Sequence, residues 1–265
     1  MRATALVARH LAAEMTQTDA RRAETILAPT VRATPIVPGG GRLWQGRSVI
    51  RISHGMAAQA ALVFAETFAD DPFYQWMTPE PQSRLAALNA YFAVKVADAM
   101  ARGEAFASES GATVMLTERL GDGTVLEGAA LGGAVLGDTA TGGQAPTEEV
   151  PASLRALLPA IGQQHLDKIR EVFATIDSTH PARPHDYVDV LAGSRAVRGG
   201  GEGSRLVSDW LTRADAGELA YLQSSNPRNL SFYRRLGFHD EADVIRLPHA
   251  AGSLTPMSRI ARPAS

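Results

Sequence analysis

Between residues 185 and 238 the hydrophobic period of the chain changes in a fixed order, and this narrows the fold more than anything else in its 265 residues. Tyr187–Ala192 reads as a strand, Arg198–Gly203 as a glycine-rich turn and Ser204–Ala214 as a helix. A second strand, Leu219–Ser224, and a second helix, Asn226–Leu236, follow. The second helix carries its own punctuation: Asn226 suits the N-cap, Pro227 the first helical position and Gly237 the residue just past the end. Glycines in the turn let the backbone bend sharply and approach a ligand closely. Free N–H groups at the start of the following helix, with the helix dipole, form a pyrophosphate cradle that needs no lysine. Two other phosphate motifs are excluded. A Walker A loop requires Gly-Lys-Ser/Thr, whereas Gly203 precedes Ser204 and Arg205. A dinucleotide fingerprint lies early in its fold and has an acid at the end of the next strand, where this chain has Gln223-Ser224.

The rest of the chain supplies a different first half. Val49–Ile52 reads as a short strand. A helix spans about Met56 to Phe68, closed by Asp70-Asp71-Pro72 because a residue before proline avoids the helical region. Leu85, Leu88, Phe92, Val96 and Ala99 stripe one face of a helix from Ser83 to Arg102, which Gly103 terminates. Ala105–Ser108, Ala112–Arg119 and Val125–Leu136 alternate as three antiparallel strands, and Asp138–Val150 is a turn-rich loop. Ser153–Ile176 has a single helical stripe that Pro159 should kink unless it falls in a first turn. Ala242–Leu247 and Leu254–Ile260 close the chain as strands. Residues 1–47 carry seven arginines against three acids, with Pro35, Pro38 and three successive glycines, Gly39 to Gly41. They read as a mobile arm and linker before a domain of residues 48–265. An arginine-rich organelle presequence, or a start upstream of the true one at Met15, would leave the same pattern.

Composition removes several classes of function. With 26 basic and 28 acidic residues the net charge is −2, which leaves no broad footprint for nucleic acid. The absence of cysteine excludes disulfides, thiolate metal sites and a catalytic thiol. No apolar run reaches the ~18 residues of a membrane span. No His/Asp/Glu set has metal-ligand spacing, so no metal is expected. Trp210, in step with Leu206 and Leu211, reads as core. Phe73, Tyr74 and Trp76 read as candidate walls of an acceptor pocket, and His165 as a partly buried structural histidine.

Arg198, Gly201 and Gly203, followed by Asn226 and by Tyr233, Leu236, Gly237 and Phe238, form two motifs at a spacing that resembles the GCN5-related N-acetyltransferase superfamily. The resemblance is close over His185–Phe238 and looser over Val49–Leu136. It implies a mixed α/β fold: a central, mostly antiparallel sheet with one splayed pair of parallel strands, Tyr187–Gly193 and Leu219–Ser224. It implies acetyl-CoA as co-substrate. Main-chain groups of Leu191, Ala192 and Gly193 would bind the pantetheine arm. The turn from Arg198 through Gly199, Gly200, Gly201, Glu202 and Gly203 to Ser204 would hold the pyrophosphate. Asn226, Asn229 and Tyr233 would lie along the cofactor. The implied reaction is direct acetyl transfer to a primary amine, most simply of a small molecule. Tyr233 is the expected acid for the leaving thiolate, because a phenol (unperturbed pKa ~10) keeps its proton at neutral pH. For the base, Asp189 and His185 are both candidates. Asp189 alternates in phase with Tyr187 and Leu191, so all three are expected on one face of the strand. Gln223 stands where relatives often have Glu. A non-catalytic acyl-CoA sensor is the alternative reading. No nucleic-acid or membrane partner is expected, the location is expected to be cytoplasmic, and a homodimer is allowed.

Overall fold

The structure, a computed structural model, describes residues 49–121, 150–212 and 218–260. The expected arm, the strand Val125–Leu136 and nearly all of the loop Asp138–Val150 lie outside these residues.

Among the described residues eight strands form one sheet: β1 (Val49–Arg51), β2 (Ala105–Ser108), β3 (Thr113–Leu120), β4 (His185–Gly193), β5 (Leu219–Ser224), β6 (His239–Asp240), β7 (Ile245–Arg246) and β8 (Ser253–Ile260). Their order is β1-β2-β3-β4-β5-β8-β6, with β7 also paired to β8. All neighbours are antiparallel except β4 and β5, which are parallel.

Each face of the sheet buries its own core. On one face lie α1 (Ala57–Phe68), α3 (Pro81–Arg102) and α6 (Gln163–Asp177), packed on Ala107, Val114, Leu116, Val190 and Ala192. Phe64 and Phe92 are fully buried there with ring centroids 5.1 Å apart, and burying such a side chain is worth ~1.5–3 kcal/mol. On the other face α7 (Glu202–Leu211) sets Leu206, Val207 and Trp210 against Phe106, Met115, Val188 and Leu222. Trp210 is thus core, as its spacing implies. α8 (Leu230–Arg235), entered through a 3-10 turn at Pro227–Asn229, adds Leu230 and Tyr233 to that side.

Three local expectations are revised. Asp71 is extended, at φ −79° and ψ 131°, so α1 does stop before Pro72, but Pro72 also opens a short helix, α2 (Pro72–Met77), whose N-cap Asp71 accepts the Phe73 N–H at 2.9 Å. The stripe over Ser153–Ile176 is three helices, α4 (Ala152–Arg155), α5 (Leu158–Ile161) and α6, rather than one kinked helix. Pro159 falls in the first turn of α5, where its missing N–H is no loss. The break comes at Gly162, whose φ of 72° leaves the helical region. Toward the end of the chain only Ile245–Arg246 of the expected strand 242–247 pairs, and Val244 is 55% exposed.

Candidate functional site

The parallel ladder of β4 and β5 starts at His185–Leu219 and stops at Val188–Leu222. Beyond that point β5 keeps pairing with β8, Gln223 opposite Pro256 and Ser224 opposite Thr255, and β4 keeps pairing with β3. The facing edges of β4 and β5 therefore separate. At the same point β4 carries a β-bulge: Leu116 pairs with Val190 and Thr117 with Val188, which leaves Asp189 without a partner. The extra residue breaks the alternation. Tyr187 and Asp189 turn toward α3 and α6, but Leu191 packs with the α7 core, not beside Asp189 as strict period-two alternation requires. A cavity of about 1660 Å³ passes through this gap. Tyr91, Lys95, Glu118 and Asp177 line it on the α3–α6 side, and Leu191, Asn229 and Tyr233 on the α7–α8 side.

The α7 side offers donors. Glu202, Gly203 and Ser204 occupy the first turn of α7, where no intrahelical carbonyl exists to receive their N–H groups. Gly199 and Gly201 precede them at φ 80° and 79°, values that strain any residue with a β-carbon. The Gly200 N–H is used internally, by the Val197 carbonyl at 3.0 Å, and Arg205 Nη2 donates to the Gly200 carbonyl at 3.2 Å. The Glu202 carboxylate does not face the anion cradle. Its Oε2 accepts the hydroxyls of Ser108 and Ser110 at 2.9 Å and of Thr113 at 3.1 Å, contacts that hold its pKa below the usual glutamate value. Arg198 is exposed, and Asn226 caps its turn by accepting the Arg228 N–H at 3.0 Å. The Ala192 side chain is buried in the α1–α3 core, and the Gly193 carbonyl accepts the Thr67 hydroxyl at 3.4 Å. Neither of those two, nor the turn from Gly199 to Ser204, forms part of the cavity wall. Tyr233 does, its ring edge-on to Phe232 and Phe238, and burial pushes its pKa up to about 12.

The α3–α6 side offers charge. Lys95 Nζ lies 2.6 Å from Asp189 Oδ2. Burial works against the ammonium, but Asp189 and Tyr91 outweigh it and hold its pKa above the ordinary lysine value. Glu118 is only 9% exposed. Burial, reinforced by Asp189 and opposed by Lys95 and Arg102, raises it to about 8. Asp177, at the end of α6, is raised by burial to about 6. His185 is 1% exposed and both its nitrogens are engaged, Nδ1 with the Arg183 carbonyl at 2.9 Å and Nε2 with His180 Nδ1 at 3.0 Å. A carbonyl can only accept, so His185 Nδ1 donates. Neutral His185 then accepts at Nε2 from His180, which leaves His180 Nε2 unprotonated. Burial and His185 lower His180 to about 4, so it is neutral at pH 7. His185 thus backs His180 and has no nitrogen left to act as a base. Asp186 pairs with Arg119 at 2.9 Å. Gln223 accepts the Tyr187 hydroxyl at 3.3 Å, and its amide donates to Thr179 Oγ1 at 2.7 Å and to the Ile176 carbonyl at 3.3 Å. It therefore ties β5 to the end of α6. Phe73 and Tyr74 line the cavity, as their spacing suggests. Trp76 does not: its indole donates to the His249 carbonyl at 2.9 Å, and its own carbonyl is met by His165 Nε2.

Among solved structures, the chain is similar to a histone acetyltransferase HPA2 and related acetyltransferase from Corynebacterium glutamicum. The two share 22% identity over 82% of this chain and 97% of the other, with a TM-score of 0.53. The fold is that of the GCN5-related acetyltransferases. A likeness to the arylalkylamine N-acetyltransferase 2 of Aedes aegypti has 13% identity, 81% and 98% coverage and a TM-score of 0.49. No protein-family model matches the chain. In this acetyltransferase fold the separated parallel strands are β4 and β5, and the motif glycines stand before α7.

The titratable group Lys95, Glu118, Asp177 and His180 escapes a reading by motif. One signal was available. Lys95 is one of two lysines in the chain and interrupts the apolar stripe of α3.

Proposed function

We propose that this chain transfers an acetyl group from acetyl-CoA to a primary amine of a small molecule. The observation that carries the reading is the gap beyond Val188 and Leu222, which opens the sheet to both faces between a half-buried Tyr233 and the Asp189–Lys95 pair. The donor set suits the proposed co-substrate. The diphosphate would take the N–H groups of Glu202, Gly203 and Ser204. The pantetheine arm would follow the unpaired edge of β4 from Leu191 to Gly193, with Arg198, Asn226 and Asn229 toward its outer end. Bound there, the thioester supplies an activated acetyl group. A main-chain N–H on the free edge of β4 can stabilise the charge that develops on its oxygen.

Two side chains then handle protons. The Asp189 carboxylate takes the proton of the incoming ammonium, directly or through water, so that the nitrogen attacks as a neutral amine. Tyr233 gives its proton to the departing sulfur. A phenol near 12 is a reluctant donor in isolation, but a thiolate leaving into the same cavity is also desolvated, and its pKa rises with that of the tyrosine.

Thiol release from acetyl-CoA over a panel of primary amines tests this. Turnover is expected, with Tyr233→Phe lowering kcat about 100-fold while the shift of Tm by CoA persists. A CoA-dependent Tm shift with no turnover on any amine would support an acyl-CoA sensor instead. No shift at millimolar CoA would reject both readings.

A further inference from the structure

Lys95 is committed to Asp189 at 2.6 Å, and Arg102 to Glu104 at 2.7 Å. Two carboxylates on the cavity wall are left without such a partner. Glu118 Oε1 and Asp177 Oδ2 are buried and have no hydrogen-bond donor among the described residues. A buried carboxylate oxygen without a donor is destabilising, and burial raises both groups, Glu118 to about 8 and Asp177 to about 6. The groups that face Glu118 are Asp189, Lys95, Arg102 and Glu104, and those that face Asp177 are Lys95 and Asp189. The sum is an excess of acid in a half-open, partly aromatic cavity.

We infer that the acceptor carries two basic nitrogens, and that Glu118 and Asp177 seat the one that is not acetylated. This rests on the transferase reading above. A nitrogen held against a buried carboxylate keeps its proton, because the opposite charge favours the charged form. Such a nitrogen cannot attack a thioester, which needs a neutral amine. The nucleophile must then be a different nitrogen, the one delivered to Asp189 and Tyr233. An alkylammonium or guanidinium group also brings N–H donors to the two orphaned oxygens, which a neutral or anionic acceptor would leave unmet.

The test uses the full chain at one pH. The terminal diamines of butane, pentane and hexane are compared with the matching monoamines, by kcat/KM with acetyl-CoA and by calorimetric affinity with CoA in its place. At least one diamine should exceed its monoamine about tenfold in both measurements, the scale of a charged hydrogen bond. Glu118→Gln and Asp177→Asn, which preserve shape, should shrink that ratio toward one. Monoamines turned over as well as diamines, or a ratio that both substitutions leave intact, would overturn the inference while the transferase reading stands. Tighter binding of a diamine that depends on Glu118, with no acetylation of any amine, would support the cation site and defeat the transferase reading.

Discussion

Glu118 and Tyr233 have opposite relations to the cavity they share. Removal from water favours the neutral form of each, which suits a phenol that must keep a proton until late and is a liability for a carboxylate. The consequence for Glu118 is a stability that depends on pH. Its pKa is raised in the folded state to about 8, so between pH 5 and 8 the unfolded chain releases the proton first and stability falls as pH rises. Each unit of such a shift corresponds to about 1.4 kcal/mol. Glu118→Gln has no charge to desolvate. Its Tm should match that of the wild type near pH 5 and exceed it by about 4 °C or more at pH 8, followed by circular dichroism. Equal pH profiles for the two proteins would show that Glu118 is ionised at no cost in the folded state.

At the scale of elements, the turn before α7 is held from outside itself. Successive glycines would leave it loose, since glycine has the most conformational freedom to lose. Glu202 counters this by gathering the three hydroxyls of the β2–β3 turn onto one oxygen, which ties the first turn of α7 to the sheet. Glu202→Ala should lower the unfolding free energy by about 1 kcal/mol in urea titrations and speed amide exchange over residues 199–204. Because Glu202 titrates below the ordinary glutamate range when folded, its contribution is present at neutral pH and is lost as pH falls through that range. Unchanged exchange in the variant would mean that the glycines are ordered by other contacts. The bulge in β4 acts on the same scale. One unpaired residue turns Asp189 and Leu191 to opposite faces, and strict alternation has no means of announcing it.

For the molecule as a whole, a sheet that opens in the middle must be held together elsewhere. β3 and β8 hold the two strands from their outer sides, and Gln223 links β5 to the end of α6 across the cavity. That role explains an amide where a carboxylate was the family expectation, because Thr179 Oγ1, whose own proton goes to the Ile176 carbonyl at 2.6 Å, can only accept from it. Gln223→Glu keeps the shape but turns the donor into an acceptor. Denaturant unfolding should show a loss of about 2 kcal/mol or more, against about 1 for Gln223→Ala, which removes the repulsion along with the bonds. A Glu variant as stable as the wild type would mean that the α6 contact bears no weight.

The order of elements, the caps at Gly103, Asn226 and Gly237, and the glycine turn were legible in the chain, because each depends on neighbours a few residues away. The two motifs, read together, were sufficient to name the acetyltransferase fold. What the sequence could not supply was anything set by contacts far apart in the chain. The Lys95–Asp189 pair joins residues ninety-four positions apart, and Glu118 meets them only because β3 lies against β4. His185 looked like a base for its intrinsic chemistry, and only packing revealed that both nitrogens were already taken. Local chemistry determined where the chain turns and how its helices begin and end. Burial and partnership, which exist only once distant segments meet, decided which of its acids and bases are left to react.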